Sequence, residues 1–165
     1  MFAQLLVLSF LGLMLFAAFN DAVKFRIPNW LCGAVALLFP LFGLVSGLSL
    51  GGWGDHLLGV FLGLLIGMAL FAPGLVGGGD AKLFAAASLW FGWSDFLAYL
   101  YLTALAGGVL VLVLVGLRRA VPALAGEAAW IKNSALELGG PVPYGIALAA
   151  GAFWLVPRTG LLLAG

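Results

Sequence analysis

Long apolar runs separated by isolated charges organise this chain. Five stretches contain no Asp, Glu, Lys or Arg: 1–20, 27–54, 57–79, 96–117 and 138–157, each at least 20 residues long. A helix rising about 1.5 Å per residue needs about 20 residues to cross a hydrocarbon core ~30 Å thick. Each run therefore holds one crossing. The runs are solidly apolar rather than alternating, and far longer than the roughly ten-residue strands of an outer-membrane barrel. A sixth run, 83–94, gives only about 18 Å of helix. Gly92-Trp93-Ser94-Asp95 reads as a turn with an interfacial tryptophan. The pattern predicts an all-α, polytopic membrane bundle, one domain over 1–165. Its six spans fall near 3–19, 30–48, 56–75, 82–92, 96–117 and 142–157, the fourth short and entered from a loop that dips into the membrane.

Composition removes the other classes. The chain is 65% apolar and 8% charged, against about 25% charged for an average soluble domain, and its mean hydropathy is +1.24. That is more apolar surface than one small core hides. A soluble enzyme, a nucleic-acid binder and a disordered tail are excluded. A net charge of +1 gives no long-range field to steer a partner. The single cysteine, Cys32, excludes an internal disulfide framework and a Cys-rich zinc module.

With six spans, the segments 20–29, 76–82 and 118–141 share one side. They carry Lys24, Arg26, Lys82, Arg118, Arg119 and Lys132, leaving only Arg158 opposite. By the positive-inside rule that side is expected to be cytoplasmic, with both termini outside. Residues 1–20 have no basic residue before their apolar region, so they read as a first span, not a signal peptide. Gly59, Gly63 and Gly67 form a small-residue ridge suited to helix packing within the bundle. Pro40 predicts a kink. Residues 120–138 suggest an interfacial segment with Trp130 and Ile131 dipping in.

Six carboxylates remain to be placed. Asp55 and Asp95 fall in short outer loops, and Glu127 and Glu137 in the longest cytoplasmic loop. Asp21 and Asp80 each sit at the cytoplasmic end of a span, at similar depth. Asp80 follows Gly77-Gly78-Gly79, where the absence of side chains permits close approach of an extended chain. Taken by itself, the motif is better accounted for by a flexible loop ending in an N-cap aspartate. Basic anchors, a helix-starting Pro28 and a belt tryptophan account for Lys24, Arg26 and Trp30; none of these requires Asp21, which is costly beside lipid unless wet or paired. Two carboxylates on one membrane face suit aspartyl-protease chemistry, in which the pair shares one proton. Intramembrane carboxylates suit an ion path as well, so a small transporter or channel stands beside the protease reading. A non-catalytic secretion-assembly subunit is the third alternative.

The sequence Asp21-Ala22-Val23-Lys24-Phe25-Arg26-Ile27-Pro28-Asn29, followed by Gly77-Gly78-Gly79-Asp80-Ala81-Lys82, resembles the type IV prepilin peptidases, the GxGD membrane aspartyl proteases. Pro141-Val142-Pro143-Tyr144-Gly145 is similar to the Pro-Tyr stretch opening that family's last span, with Ile146 where many members have a second proline. The short form, which starts at the first span without the paired CxxC motifs of the N-methyltransferase region, looks most like the peptidases of Flp (tight-adherence) pili. The resemblance implies a catalytic dyad of Asp21 and Asp80, supported by Gly77, Gly78, Gly79, Lys82, Lys24, Pro28 and Asn29. It implies no metal and no cofactor. The implied partners are a prepilin or pseudopilin, cleaved after a glycine at the cytoplasmic face of the bacterial inner membrane, and membrane lipid. Nucleic acid is not among them, and a homo-oligomer is compatible. Lys82, about 200° around a helix from Asp80, is expected to reach Asp21 or the substrate instead.

Overall fold

The computed structural model describes residues 1–125, 135–137 and 139–162. Most of the expected interfacial segment, including Trp130 and Ile131, lies outside them, as does Glu127. The described chain is helical: α1 (Phe2–Lys24), α2 (Asn29–Val45), α3 (Leu50–Phe71), α4 (Gly78–Ala125) and α5 (Tyr144–Leu155), then two short 3-10 turns. By length and composition Phe2–Lys24, Leu50–Phe71 and Gly78–Ala120 are long and apolar enough to cross a membrane, with the 17-residue α2 the shorter apolar helix. This is a membrane protein. Its outer surface carries large apolar side chains: Leu37, Leu44 and Leu112 are each more than 70% exposed. Such side chains are at home only against lipid.

Six separate spans were expected; there are five helices, because 82–92 and 96–117 belong to one element. Helix continues through the expected turn except at Gly92, where φ is 62° and ψ −174°. Glycine alone adopts that backbone readily. The chain nevertheless doubles back there. Phe84 and Tyr99 stack with ring centroids 5.6 Å apart, whereas a straight helix would hold residues fifteen apart about 22 Å from each other. The two arms of α4 are therefore a helical hairpin with almost no loop. A helix break leaves carbonyls short of N–H donors, and at this one His56 supplies a donor: its Nδ1–H donates to the Leu89 carbonyl at 2.7 Å.

The small-residue ridge on α3 packs against the first arm. Added Cβ atoms at Gly59, Gly63 and Gly67 would sit 2.8–2.9 Å from Ser88 or Ala81 atoms. No side chain fits that seam, so the ridge serves the bundle. Inside, Trp90 is fully buried, stacked on Phe10 at 4.5 Å, and its indole donates to the Val35 carbonyl at 2.9 Å. Helix α2 continues through Pro40.

These contacts fix the ends. Asp21 near the end of α1 meets Gly145 at the start of α5, and Gln4 donates to the Leu162 carbonyl. The two helices are antiparallel. One end of the bundle gathers 21–30, 77–82 and 140–145; the other gathers 46–56, 92–95 and 155–162. Among the described residues, five basic side chains (Lys24, Arg26, Lys82, Arg118, Arg119) belong to the first end and only Arg158 to the second.

Candidate active site

Asp21 lies on the last turn of α1, two residues beyond the span expected from the sequence, and is 5% exposed. The helix ends at Phe25, in the left-handed conformation at φ 50°, with its N–H on the Asp21 carbonyl at 2.8 Å. A bulky residue there is unusual and costs energy. What it achieves is a sharp reversal that lays Ile27, Pro28 and Asn29 back over the end of the bundle. Pro28 is the N-cap of α2, where its missing N–H is not needed. Ile27 is wedged between two glycines. A Cβ on Gly79 would lie 3.1 Å from Ile27 Cβ, and one on Gly145 3.3 Å from Ile27 Cδ1. The α1–α2 link, α4 and α5 therefore meet at this one side chain.

The glycine run, expected to be a flexible loop, is largely helical. Gly78 and Gly79 are the first turn of α4, and Asp80 is its third residue rather than its N-cap. The Asp80 Oδ2 atom accepts from the Gly77 N–H at 3.2 Å. This is the back-reaching half of a capping box, an acidic side chain on an otherwise orphan donor at a positive helix end. Gly77 has to be small, since a Cβ there would lie 2.8 Å from Asp80 Oδ2. The other oxygen, Oδ1, is buried with no hydrogen-bond partner. On Asp21, Oδ2 accepts from the Gly145 N–H at 2.8 Å. Each carboxylate thus has one oxygen held by a backbone N–H, on elements far apart in sequence.

The two meet in one cleft. A cavity of about 680 Å³ is lined by Asp21, Asp80, Lys24, Pro28, Asn29 and Gly77 to Gly79, among others, and the two carboxylates interact electrostatically across it. Eight of the nine residues singled out from sequence line this cleft. The ninth, Lys82, stands just outside and donates to Asn29 Oδ1 at 2.9 Å rather than to Asp21, one of the two partners expected for it. Asp55 and Asp95 are at the opposite end, where Asp95 lines a separate cavity with His56.

Sequence reasoning missed three supports. Gly145 and Ile27 stood in quoted motifs but were given no role. Arg118 enters the sequence reading only as one of the basic residues that sort the two sides, yet it is 8% exposed. Its Nε donates to the Ala135 carbonyl at 2.8 Å, and its Nη2 to those of Gly140 and Pro141 at 2.7 and 3.0 Å. It thereby pins the chain leading into α5, and with it the N–H that holds Asp21. An arginine pair after an apolar run carries no sign of such burial.

Comparison with known protein families places residues 8–112 in the type IV leader peptidase family. No curated protein and no solved structure matches significantly.

Proposed function

Because the chain belongs to the type IV leader peptidase family, a family of peptidases, we propose that it is an aspartyl endopeptidase that removes the leader of a prepilin or pseudopilin, with Asp21 and Asp80 as its dyad. The observation that carries this reading is the cleft itself. Two carboxylates from opposite parts of the chain line one cavity at one end of a membrane bundle, each with one oxygen held by a backbone donor.

The chemistry follows from the pair. Two nearby carboxylates do not both ionise cheaply, so between them they keep one proton. The ionised member takes a proton from a water held between the two, and the resulting hydroxide oxygen bonds to the scissile carbonyl carbon. The neutral member gives its proton to the carbonyl oxygen. Collapse of this tetrahedral species breaks the C–N bond: the leaving nitrogen takes the proton that the first carboxyl had gained from water, one hydroxyl of the diol returns its proton to the other carboxylate, and the singly protonated pair is restored. The buried, unpartnered Asp80 Oδ1 suits a water or a shared proton. The pair titrates as a unit, so neither role belongs to one residue. Fixed N–H donors spare the site reorganisation during reaction.

The concentration of basic residues at the cleft end supports a cytoplasmic site in the bacterial inner membrane. A transporter would need its carboxylates along a path near the midplane, whereas both stand at one end here. The test is cleavage of a prepilin by Asp21→Asn and Asp80→Asn. An amide keeps the shape but neither accepts nor shares the proton. Each variant should insert normally and lose cleavage, while Asp55→Asn and Asp95→Asn keep it. Substantial turnover by either cleft variant refutes the dyad.

A further inference from the structure

Every peptide group that enters the cleft leaves water, and its N–H and carbonyl then need new partners. The lining offers few. Apart from the dyad, only Asn20 and Asn29 carry both a donor and an acceptor on the side chain, and the Asn29 oxygen is taken by Lys82. Asn20 is half-buried near the end of α1, and its carboxamide makes no hydrogen bond among the described residues. Phe16, Asn20 and Lys24 recur every four residues and all line the cleft, so α1 presents one stripe to it. The main chain beside them is open too. Residues 26–28 are neither helix nor strand, Pro28 is extended at φ −70° and ψ 142°, and the Arg26 N–H and carbonyl have no partner among the described residues.

A carboxamide matches a peptide group: Oδ1 accepts from a substrate N–H, and Nδ2 donates to a substrate carbonyl. Asn20 adjoins Asp21, and neighbouring Cα atoms stand about 3.8 Å apart, close to the ~3.5 Å that one extended residue spans. A bond held at Asp21 therefore brings the next peptide group to Asn20. We infer that Asn20 holds the substrate's main chain at a peptide group flanking the scissile bond, with the open backbone of Arg26 bordering the same stretch. This rests on the dyad reading. Because the contact is to main chain, it is blind to the substrate's side chains. It sets the scissile carbonyl against the dyad for any peptide the cleft admits, and it moves no proton.

Asn20→Ala removes no hydrogen bond of the described fold and improves helix propensity, so the variant keeps its structure. The enzyme is reconstituted in phosphatidylethanolamine–phosphatidylglycerol vesicles with synthetic Flp-type prepilin segments that span the leader and the apolar stretch. One segment is all amide. In two others the peptide bond just before or just after the scissile one is an ester, which removes that N–H and weakens that carbonyl. On the all-amide segment Asn20→Ala should lower kcat/KM about tenfold, the scale of one or two hydrogen bonds. Phe19→Ala, at a side chain that is 65% exposed and does not line the cleft, should match wild type. One of the two esters should cost the wild type several-fold and Asn20→Ala nothing further. Wild-type kcat/KM for Asn20→Ala, or ester penalties undiminished in it at both positions, overturns the proposal. If that happens while Asp80→Asn is inactive on the same segments, Asn20 fails and the dyad stands; full activity of Asp80→Asn sinks the dyad and the inference built on it.

Discussion

Gly145→Ala puts a single methyl group against the buried carboxylate that the proposed mechanism needs. The new Cβ would lie 3.0 Å from Asp21 Cβ and 3.1 Å from its Oδ2, where ordinary contact begins at 3.4 Å. Something must move by about 0.4 Å, and neither neighbour yields easily. Asp21 Cβ is fixed to α1, and Ile27 is locked between two glycines. Overpacking of this kind costs about 1–3 kcal/mol, partly offset by the ~1 kcal/mol that alanine gains over glycine in a helix. The net loss is then about 0–2 kcal/mol, and Tm should fall by at most about 8 °C. Turnover responds differently. If a misplacement of about 1 Å costs roughly a hundredfold, 0.4 Å costs on the order of tenfold. Initial rates on a reconstituted prepilin, with kcat and KM separated, should show kcat down about tenfold and KM nearly unchanged. Gly12→Ala and Gly33→Ala, where a Cβ meets nothing within 4 Å, serve as controls and should be indistinguishable from wild type. A folded Gly145→Ala enzyme with wild-type kcat would refute the claim that Asp21 is held in place from α5.

Other outcomes follow from the same geometry. Arg118→Lys keeps the charge but cannot fork onto three carbonyls; amide exchange at 144 and 145 should quicken and kcat fall, whereas Arg119→Lys changes neither. Gly63→Leu drives a side chain into Ser88 Oγ at 2.8 Å and Ala85 Cα at 2.9 Å, so α3 should separate from α4 and thermal stability in detergent should drop by about 2 kcal/mol or more; an unchanged Tm would mean the seam is looser than described. Lys82→Ala and Asn29→Ala should each alter cleavage only a few-fold, and together no more than either alone, because they remove one exposed hydrogen bond; additive losses would show separate roles. Single cysteines at 55 and 95 should label from the face opposite to those at 24 and 119, and labelling of 119 from the same face as 55 would overturn the hairpin at Gly92.

Charge spacing made the membrane architecture legible. Isolated charges cost too much within lipid to be placed freely, so their positions bracket the crossings and sort the ends. The same economy brought out Asp21 and Asp80, since an aspartate at a span's edge stands out against 65% apolar sequence. Helix boundaries were less legible. An apolar helix surrounded by lipid has no polar face to mark where it stops, so α1 ran past its expected end to Lys24 and α4 began at Gly78.

The turn at Gly92 shows where such reading ends. The sequence predicts a four-residue turn over Gly92-Trp93-Ser94-Asp95, and the reversal does begin at Gly92, but most of that stretch is helical. Here a single glycine at φ 62° makes the reversal, with one orphan carbonyl satisfied from another helix by His56 and Trp90 clamped against Phe10 just before it. None of these partners is near in sequence, so no local pattern announces them. The cleft shares that character. Asp21 is held from α5, Asp80 by its own helix start, and Ile27 closes the space between α4 and α5. The carboxylates are visible in the sequence because they are costly there; the glycines and the buried arginine that hold them are ordinary residues in an apolar chain, and only the packing of three helix ends gives them a role.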